Sequence, residues 1–346
     1  MKFLIVRTDR LGDALLTLPV AGKLRENFPE SKIYFLVNSY TAPIISKSKV
    51  VDDVISADKV GFFDLVEILR RKKIDYAIVA KPTIRNAFLI FFAGIKHRIG
   101  TKYRAYSFLF NLRVSHHRKE SIKHEALYNL DLLEPLGVKN NNNLSELEFG
   151  LVPDPVIQNV VRKKLQRFGV DIEKPLIVLH ISSGGSAVDW NYLNFKELSK
   201  LIKQNLDAEI LLTGTHKDFL FLYELFNNFD YKVHNLAGEL NLVELFNLFS
   251  IASVYVGNST GPTHLAAIAD CWVISFYPKI RVASQVRWSP ITKKRIIFEP
   301  EIDCVDCTVE QCRRLNCMES IDVMKVYKEV EKIITFNLFR KDREEY

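Results

Sequence analysis

The sequence holds no long apolar run. Its longest, Ala87–Ala93 with its neighbours, is far too short to cross a bilayer. No leader pattern opens it either, because Lys2 is followed by only four apolar residues before Arg7. A cytoplasmic protein is the expectation. Glycine is scarce where a dinucleotide-binding turn needs it. The first βα turn, Arg7-Thr8-Asp9-Arg10-Leu11-Gly12-Asp13, carries one glycine and no G-x-G-x-x-G. Asp-x-Asp pairs are absent altogether, so a metal clamped between such aspartates is not expected. Cysteine is limited to five residues, and in a cytoplasmic protein disulfides are not expected to persist.

What is present suits a globular protein of two domains. Hydrophobic residues make up 48% and charged residues 26%. Strand-like and helix-like segments alternate. Phe3–Val6, Lys32–Val37 and Tyr76–Ala80 read as strands. Ala14–Glu26, Phe63–Arg71, Arg85–Ala93 and Glu125–Leu136 have helical spacing. Polar Asn140–Asn143, then Gly150–Pro155, read as a linker. The rhythm restarts with strands Leu176–Ile181, Glu209–Thr213, Val233–Leu236, Val254–Val256 and Trp272–Phe276. Helices Asn194–Lys203, Phe219–Phe226 and Leu242–Phe249 lie among them, with another from Thr263. Alternation of this kind predicts an α/β protein of two doubly wound, Rossmann-like domains with a cleft between them. The expected boundaries are 1–150, 151–320, and a final amphipathic helical segment within 321–346.

Three turns carry candidate chemistry. The first is Arg7–Asp13, which puts two acids and two arginines at the carboxyl end of the first strand. Asp13 there is either a helix cap or a general base. A helix N-terminus and nearby arginines predict that it stays ionised and only weakly basic. The second turn is His180-Ile181-Ser182-Ser183-Gly184-Gly185-Ser186, whose small residues admit a ligand to the backbone. The third is Val256–Ala267 (VGNSTGPTHLAA). Ser259 or Thr260 can cap the following helix and Pro262 suits its first turn. Such a strand-to-helix turn is an anion site or an ordinary capped turn. Glu239, after Leu236-Ala237-Gly238, is a ribose acceptor or a solvated turn residue.

The blocks Arg7–Pro19 (RTDRLGDALLTLP), His180–Trp190 (HISSGGSAVDW), Asn235–Ala267 and Cys304–Met318 resemble glycosyltransferase family 9, the lipopolysaccharide heptosyltransferases and their relatives. The resemblance implies a GT-B fold with the acceptor in the first domain and a nucleotide-sugar, typically ADP-heptose, in the second. It implies inverting transfer without metal or cofactor, and a terminal helix that crosses back onto the first domain. Asp13 takes the family's base position. Ser259, Thr260, Gly261 and His264 take its diphosphate turn, with Ser182, Ser183, Gly184, Ser186 and Glu239 completing the donor site. Two positions depart from the family. Many relatives have aspartate at Ser259, and a basic residue is common where this chain has Val188.

Net charge is +7, and the segment Arg98–His124 holds seven Lys or Arg against one Glu, with aromatics interleaved. That pattern suits an anionic lipid surface, nucleic acid or a solvated loop. Joined to the resemblance, it implies a membrane-borne lipid A–core acceptor rather than nucleic acid. Arg7, Arg10, Arg98, Lys102, Arg104, Arg118 and Lys119 are then its candidate contacts, on a monomer peripheral to the cytoplasmic face of the inner membrane. Cys304, Cys307, Cys312 and Cys317 have a spacing that either holds zinc or supplies reduced structural thiols. Two rival functions stay open: another GT-B enzyme such as a sugar-nucleotide 2-epimerase, and a non-catalytic nucleotide-sugar-binding protein.

Overall fold

The computed structural model describes residues 1–115, 117–185, 188–227, 231–302 and 308–344, with backbone alone at 119, 309, 313 and 337–344. The chain divides into two compact units, Met1–Val152 and Pro153–Tyr346. Among the described residues no helix is long and apolar enough to cross a membrane.

The first unit is built on six parallel strands: β1 (Lys2–Val6), β2 (Lys32–Val37), β3 (Asp53–Ser56), β4 (Tyr76–Val79), β5 (His97–Thr101) and β6 (Leu112–Val114). Their order is β3-β2-β1-β4-β5-β6. Phe3 pairs with Ile33 on one side and Tyr76 on the other, so β1 is central. Phe3, Leu4, Ile5 and Val6 are all fully buried, as expected of a strand covered on both faces. On one face Leu4, Val6 and Leu36 pack with Leu65 and Leu69 of helix Phe62–Lys72, with Ala87 and Ile90 of helix Ile84–Phe92, and with Phe110.

The helix expected over Ala14–Glu26 is two helices, Leu11–Leu15 and Leu18–Asn27. Pro19 has no N–H to continue the ladder, so the chain restarts with proline in the first turn of the second helix. The basic segment from Arg98 is not an open loop. It contributes to β5 and supplies β6, which pairs Ile99 with Leu112.

The second unit opens with helix Pro155–Arg167, which begins where the expected linker Gly150–Pro155 ends and is capped by Asp154 on the Val156 N–H at 2.9 Å. Strands β7 (Leu176–His180), β8 (Glu209–Leu212), β9 (His234–Asn235), β10 (Val254–Asn258), β11 (Trp272–Phe276) and β12 (Arg295–Phe298) lie in the order β12-β11-β10-β7-β8-β9. Read from β9, this is the same winding as the first sheet. The last helix, Val323–Glu344, buries Val326, Val330, Ile333 and Ile334 in the second unit's core with Leu198, Ile202 and Trp190. These side chains belong to the second unit's core.

Candidate functional site

In each sheet the chain winds outward one way, returns to the centre and winds outward the other way. The crevice at that reversal, beyond the carboxyl ends of the central strands, is where such sheets bind ligands. In the first unit it falls between β1 and β4. The loop after β1 carries Asp9 and Arg10 and leads into the helix that carries Asp13, and the loop after β4 carries Lys81.

Arg7, the first residue past β1, is 4% exposed and organises the place. Its Nε donates to Asp9 Oδ1 at 2.8 Å, its Nη2 to Asp13 Oδ1, and its Nη1 to Glu125 Oε1 and Asn129 Oδ1, each at 3.2 Å. Arg118 reaches the same pair from the other side, with Nη1 on Glu125 Oε1 at 2.6 Å and Nη2 on Asn129 Oδ1 at 3.0 Å. Lys81 Nζ lies 3.1 Å from Asp9. Arg7, Lys81 and Arg118 thus balance Asp9, Asp13 and Glu125. Burial alone would lower the Arg7 pKa, yet Asp13, Asp9 and Glu125 hold it above its ordinary value. The cation is permanent.

Asp13 sits at the third position of helix Leu11–Leu15, whose cap is Arg10 and not Asp13. Its side chain is 18% exposed. Desolvation raises its pKa, Arg7 and Lys81 pull it down, and Asp9 and Glu125 push it up. The result lies above the ordinary carboxylate value. This corrects the expectation of a weakly basic Asp13. Two acids that reach the cluster from its own loop and from helix Glu125–Leu130 oppose the arginine, and desolvation exceeds it.

The proposed acceptor cations separate. Arg7 and Arg118 belong to the buried cluster. Arg98 donates to the carbonyls of Leu109 (2.7 Å) and Ile95 (2.6 Å), so it clamps the connection from β5 to β6. Arg10, Lys102 and Arg104 are exposed, with Lys102 Nζ 5.2 Å from the Tyr103 ring centroid. The Lys119 side chain lies outside the described residues. A cavity of about 210 Å³ adjoins the cluster, lined among others by Ala80, Thr101, Tyr103, Arg104, His117 and Arg118. It joins aromatic walls to guanidinium groups, as a polar, partly anionic ligand requires.

In the second unit the reversal falls between β7 and β10, and the two serine-bearing turns follow these neighbouring strands. Asn258, fully buried at the end of β10, ties them together. Its Oδ1 accepts the Trp190 N–H at 2.7 Å, and its Nδ2 donates to Ile181 O at 2.6 Å. Gly184 and Gly185 take positive φ angles of 59° and 75°, a conformation that glycine adopts without strain. Ser182 is half-buried and Ser183 buried, and Ser183 N–H donates to Asp189 Oδ2 at 3.2 Å. Ser186 lies outside the described residues.

Thr260 is the cap of helix Gly261–Ile268, and its N–H lies 3.4 Å from Thr263 Oγ1. Pro262 is in the first turn and His264 is buried. The Ser259 side chain hydrogen-bonds the Tyr277 hydroxyl. Val188 is 7% exposed and packs with Ile181 and Trp190, so this position faces the core rather than a ligand. Glu239 is exposed beyond β9, at the sheet's edge, two strands from β7. His180, at the end of β7, is held neutral, its pKa pushed down to about 4 by burial.

Cys312 and Cys317 are buried, while Cys304 and Cys307 lie outside the described residues. Among the described residues no group of three or more His, Cys, Asp or Glu is placed to hold a metal. Sequence reasoning misses Glu125, Asn129, Lys81 and Asn258. Only the i, i+4 spacing of the first two on a largely apolar helix hints at a shared buried face.

Residues 62–318 match the model of glycosyltransferase family 9 (heptosyltransferase). A Haemophilus influenzae protein provisionally named a glycosyltransferase is 30% identical, over 86% of this chain and 89% of its own. Lipopolysaccharide heptosyltransferase 3 of Escherichia coli K12 is 25% identical, over 83% and 84%. The solved E. coli ADP-heptose lipopolysaccharide heptosyltransferase II superposes with a TM-score of 0.82 at 20% identity, covering 97% of this chain and 99% of that one. The chain thus has the GT-B fold. With the family match spanning most of its length, it is a glycosyltransferase and belongs to glycosyltransferase family 9, the heptosyltransferases.

Proposed function

We propose that the enzyme moves a heptose or a closely related sugar from ADP-heptose to a hydroxyl of the lipopolysaccharide inner core, inverting the anomeric carbon. The observation that carries this reading is Asp13, a carboxylate of raised pKa at the first unit's reversal point, held by the permanent Arg7 cation. A base must be deprotonated yet proton-seeking, and desolvation next to a fixed cation supplies both properties.

In the reaction Asp13 takes the proton of the acceptor hydroxyl. The freed oxygen forms a bond to the anomeric carbon as the bond from that carbon to the phosphate oxygen breaks. The bonding pair leaves with the nucleoside diphosphate. Growing negative charge there is stabilised by the N–H groups and dipole of helix Gly261–Ile268, with Ser182, Ser183, Gly184, Ser186, Ser259, Thr260 and His264 as donor contacts. Glu239 is the ribose candidate. Arg104, Arg118 and His117 at the 210 Å³ cavity suit an acceptor bearing phosphate or acidic sugars. The lipopolysaccharide core is lipid-borne, so on this reading the enzyme works, as a monomer, at the cytoplasmic face of the inner membrane.

The test is Asp13→Ala assayed with ADP-heptose and a core acceptor. Turnover falls by about two to four orders of magnitude while ADP affinity is kept. A variant that retains most of its turnover removes Asp13 from the chemistry.

A further inference from the structure

Helices Phe62–Lys72 and Ile84–Phe92 cover one face of the first unit's sheet. Their inward residues fill the core. Their outward residues are unusual for a solvated surface: Phe63 is 81% exposed, Ile84 57%, and Phe91 and Phe92 45% each. The short turn Ser107–Leu109 packs beside helix Ile84–Phe92 and exposes Phe108. These rings are continuous rather than scattered. Phe62 lies 5.5 Å from Phe63 and 6.4 Å from Phe92, and Phe92 lies 5.8 Å from Phe88 and 5.7 Å from Phe91. A contiguous aromatic surface of this kind marks a docking site.

Charge selects the occupant. Residues 59–104 hold eleven Lys or Arg against three Asp or Glu, an excess of +8, of which Lys72 and Lys81 are offset by Asp53 and Asp9 outside the stretch. The guanidinium groups sit on the rings themselves: Arg85 is 5.9 Å from the Phe62 centroid and Arg98 is 5.5 Å from that of Phe91. Arg70 is anchored by two hydrogen bonds to Phe92 O, at 3.0 and 2.7 Å. Aromatic rings that enter an interface, framed by cations that meet phosphate headgroups, are the chemistry of an anionic bilayer surface.

We propose that this aromatic and basic face, centred on Phe62, Phe63, Phe91 and Phe92, is the surface by which the enzyme docks on an anionic phospholipid membrane. The inference rests on the lipid-borne acceptor of the preceding reading, and it moves the contact away from Arg118, which lies in the buried cluster.

The test is co-sedimentation with vesicles of phosphatidylglycerol and phosphatidylethanolamine, and with vesicles of phosphatidylcholine alone. Wild type binds the anionic vesicles preferentially. Phe63→Glu/Phe91→Glu weakens that binding by about tenfold or more. Lys59→Glu/Lys96→Glu keeps the rings and weakens it more at low salt than at high. Circular dichroism and thermal melts confirm that the variants fold, and the single change Phe63→Ser serves if the double variant does not. Unaltered vesicle binding in the folded variants overturns the proposal. So does a wild-type dimer in sedimentation equilibrium that Phe63→Glu/Phe91→Glu dissociates, because the face then serves a second copy. Turnover on an acceptor stripped of its acyl chains separates the two readings. It is unchanged in the docking variants if the transferase reading holds, and is absent even in wild type if that reading alone fails.

Discussion

Glu125→Gln removes one charge from the buried cluster and keeps its shape. Glu125 is 1% exposed, and its Oε1 accepts from Arg118 at 2.6 Å and from Arg7 at 3.2 Å. Breaking a buried ion pair costs about 3–5 kcal/mol, and glutamine keeps the accepting oxygen, so about 3 kcal/mol is expected. In a unit of this size that lowers the melting temperature by roughly 6–12 °C. The second effect is on Asp13. The Glu125 charge helps to raise the Asp13 pKa, so its removal lets that pKa fall. A base works deprotonated, and kcat/KM therefore rises with pH through the Asp13 pKa. In Glu125→Gln that rising limb moves to lower pH, although the variant is less stable. Urea melts at neutral pH and pH–rate profiles read the two effects separately. A limb that stays in place or moves up, with a stability loss under about 1 kcal/mol, refutes the coupling.

Asn258→Ala leaves the buried Trp190 N–H and Ile181 carbonyl without their side-chain partner, at about 1–3 kcal/mol each. The Ser182–Gly185 turn is released, and calorimetric titration should find ADP bound about tenfold more weakly, a change of about 1.4 kcal/mol. ADP affinity equal to wild type would separate Asn258 from the donor site. His180 has its pKa held near 4, below the ordinary histidine value, so the unfolded chain binds the extra proton between these limits. Stability is therefore full above the unfolded value and declines as pH falls toward about 4, by about 3 kcal/mol in all. His180→Asn should flatten that decline in acid denaturation curves, and an unchanged slope would assign it to other groups.

The winding of both units is legible in the chain because the inner strands are unbroken apolar runs, such as Phe3–Val6 and Leu176–Leu179. The outer strands are not. Asp53–Ser56, His97–Thr101 and Arg295–Phe298 are short and carry polar or charged residues, since a strand nearer the edge need not be buried throughout. Asp13, Ser182 and Ser259 stand out as candidates because each lies within the connection from a strand to the next helix or in that helix's first turn. Glu125 and Asn258 cannot, because their partners are 118 and 68 residues away and only the folded chain brings them together. The basicity of Asp13 escapes for the same reason: local sequence displays the arginines, while desolvation and Glu125 arise from tertiary structure.

The central place of β1 also bears on how the chain is made. Phe3 needs Tyr76 as its second neighbour, 73 residues later. At ribosomal speeds of about 5–20 residues per second, one edge of this apolar strand waits roughly 4–15 s before β4 is synthesised. Through that interval the nascent chain displays one unpaired edge of a largely apolar strand, the kind of edge that invites aggregation. Every strand of the first sheet lies before Val152, so this unit can close while most of the second is still being translated. Slowing of translation between Val6 and Tyr76 would lengthen the exposure, whereas slowing after Val152 would leave the first unit time to finish.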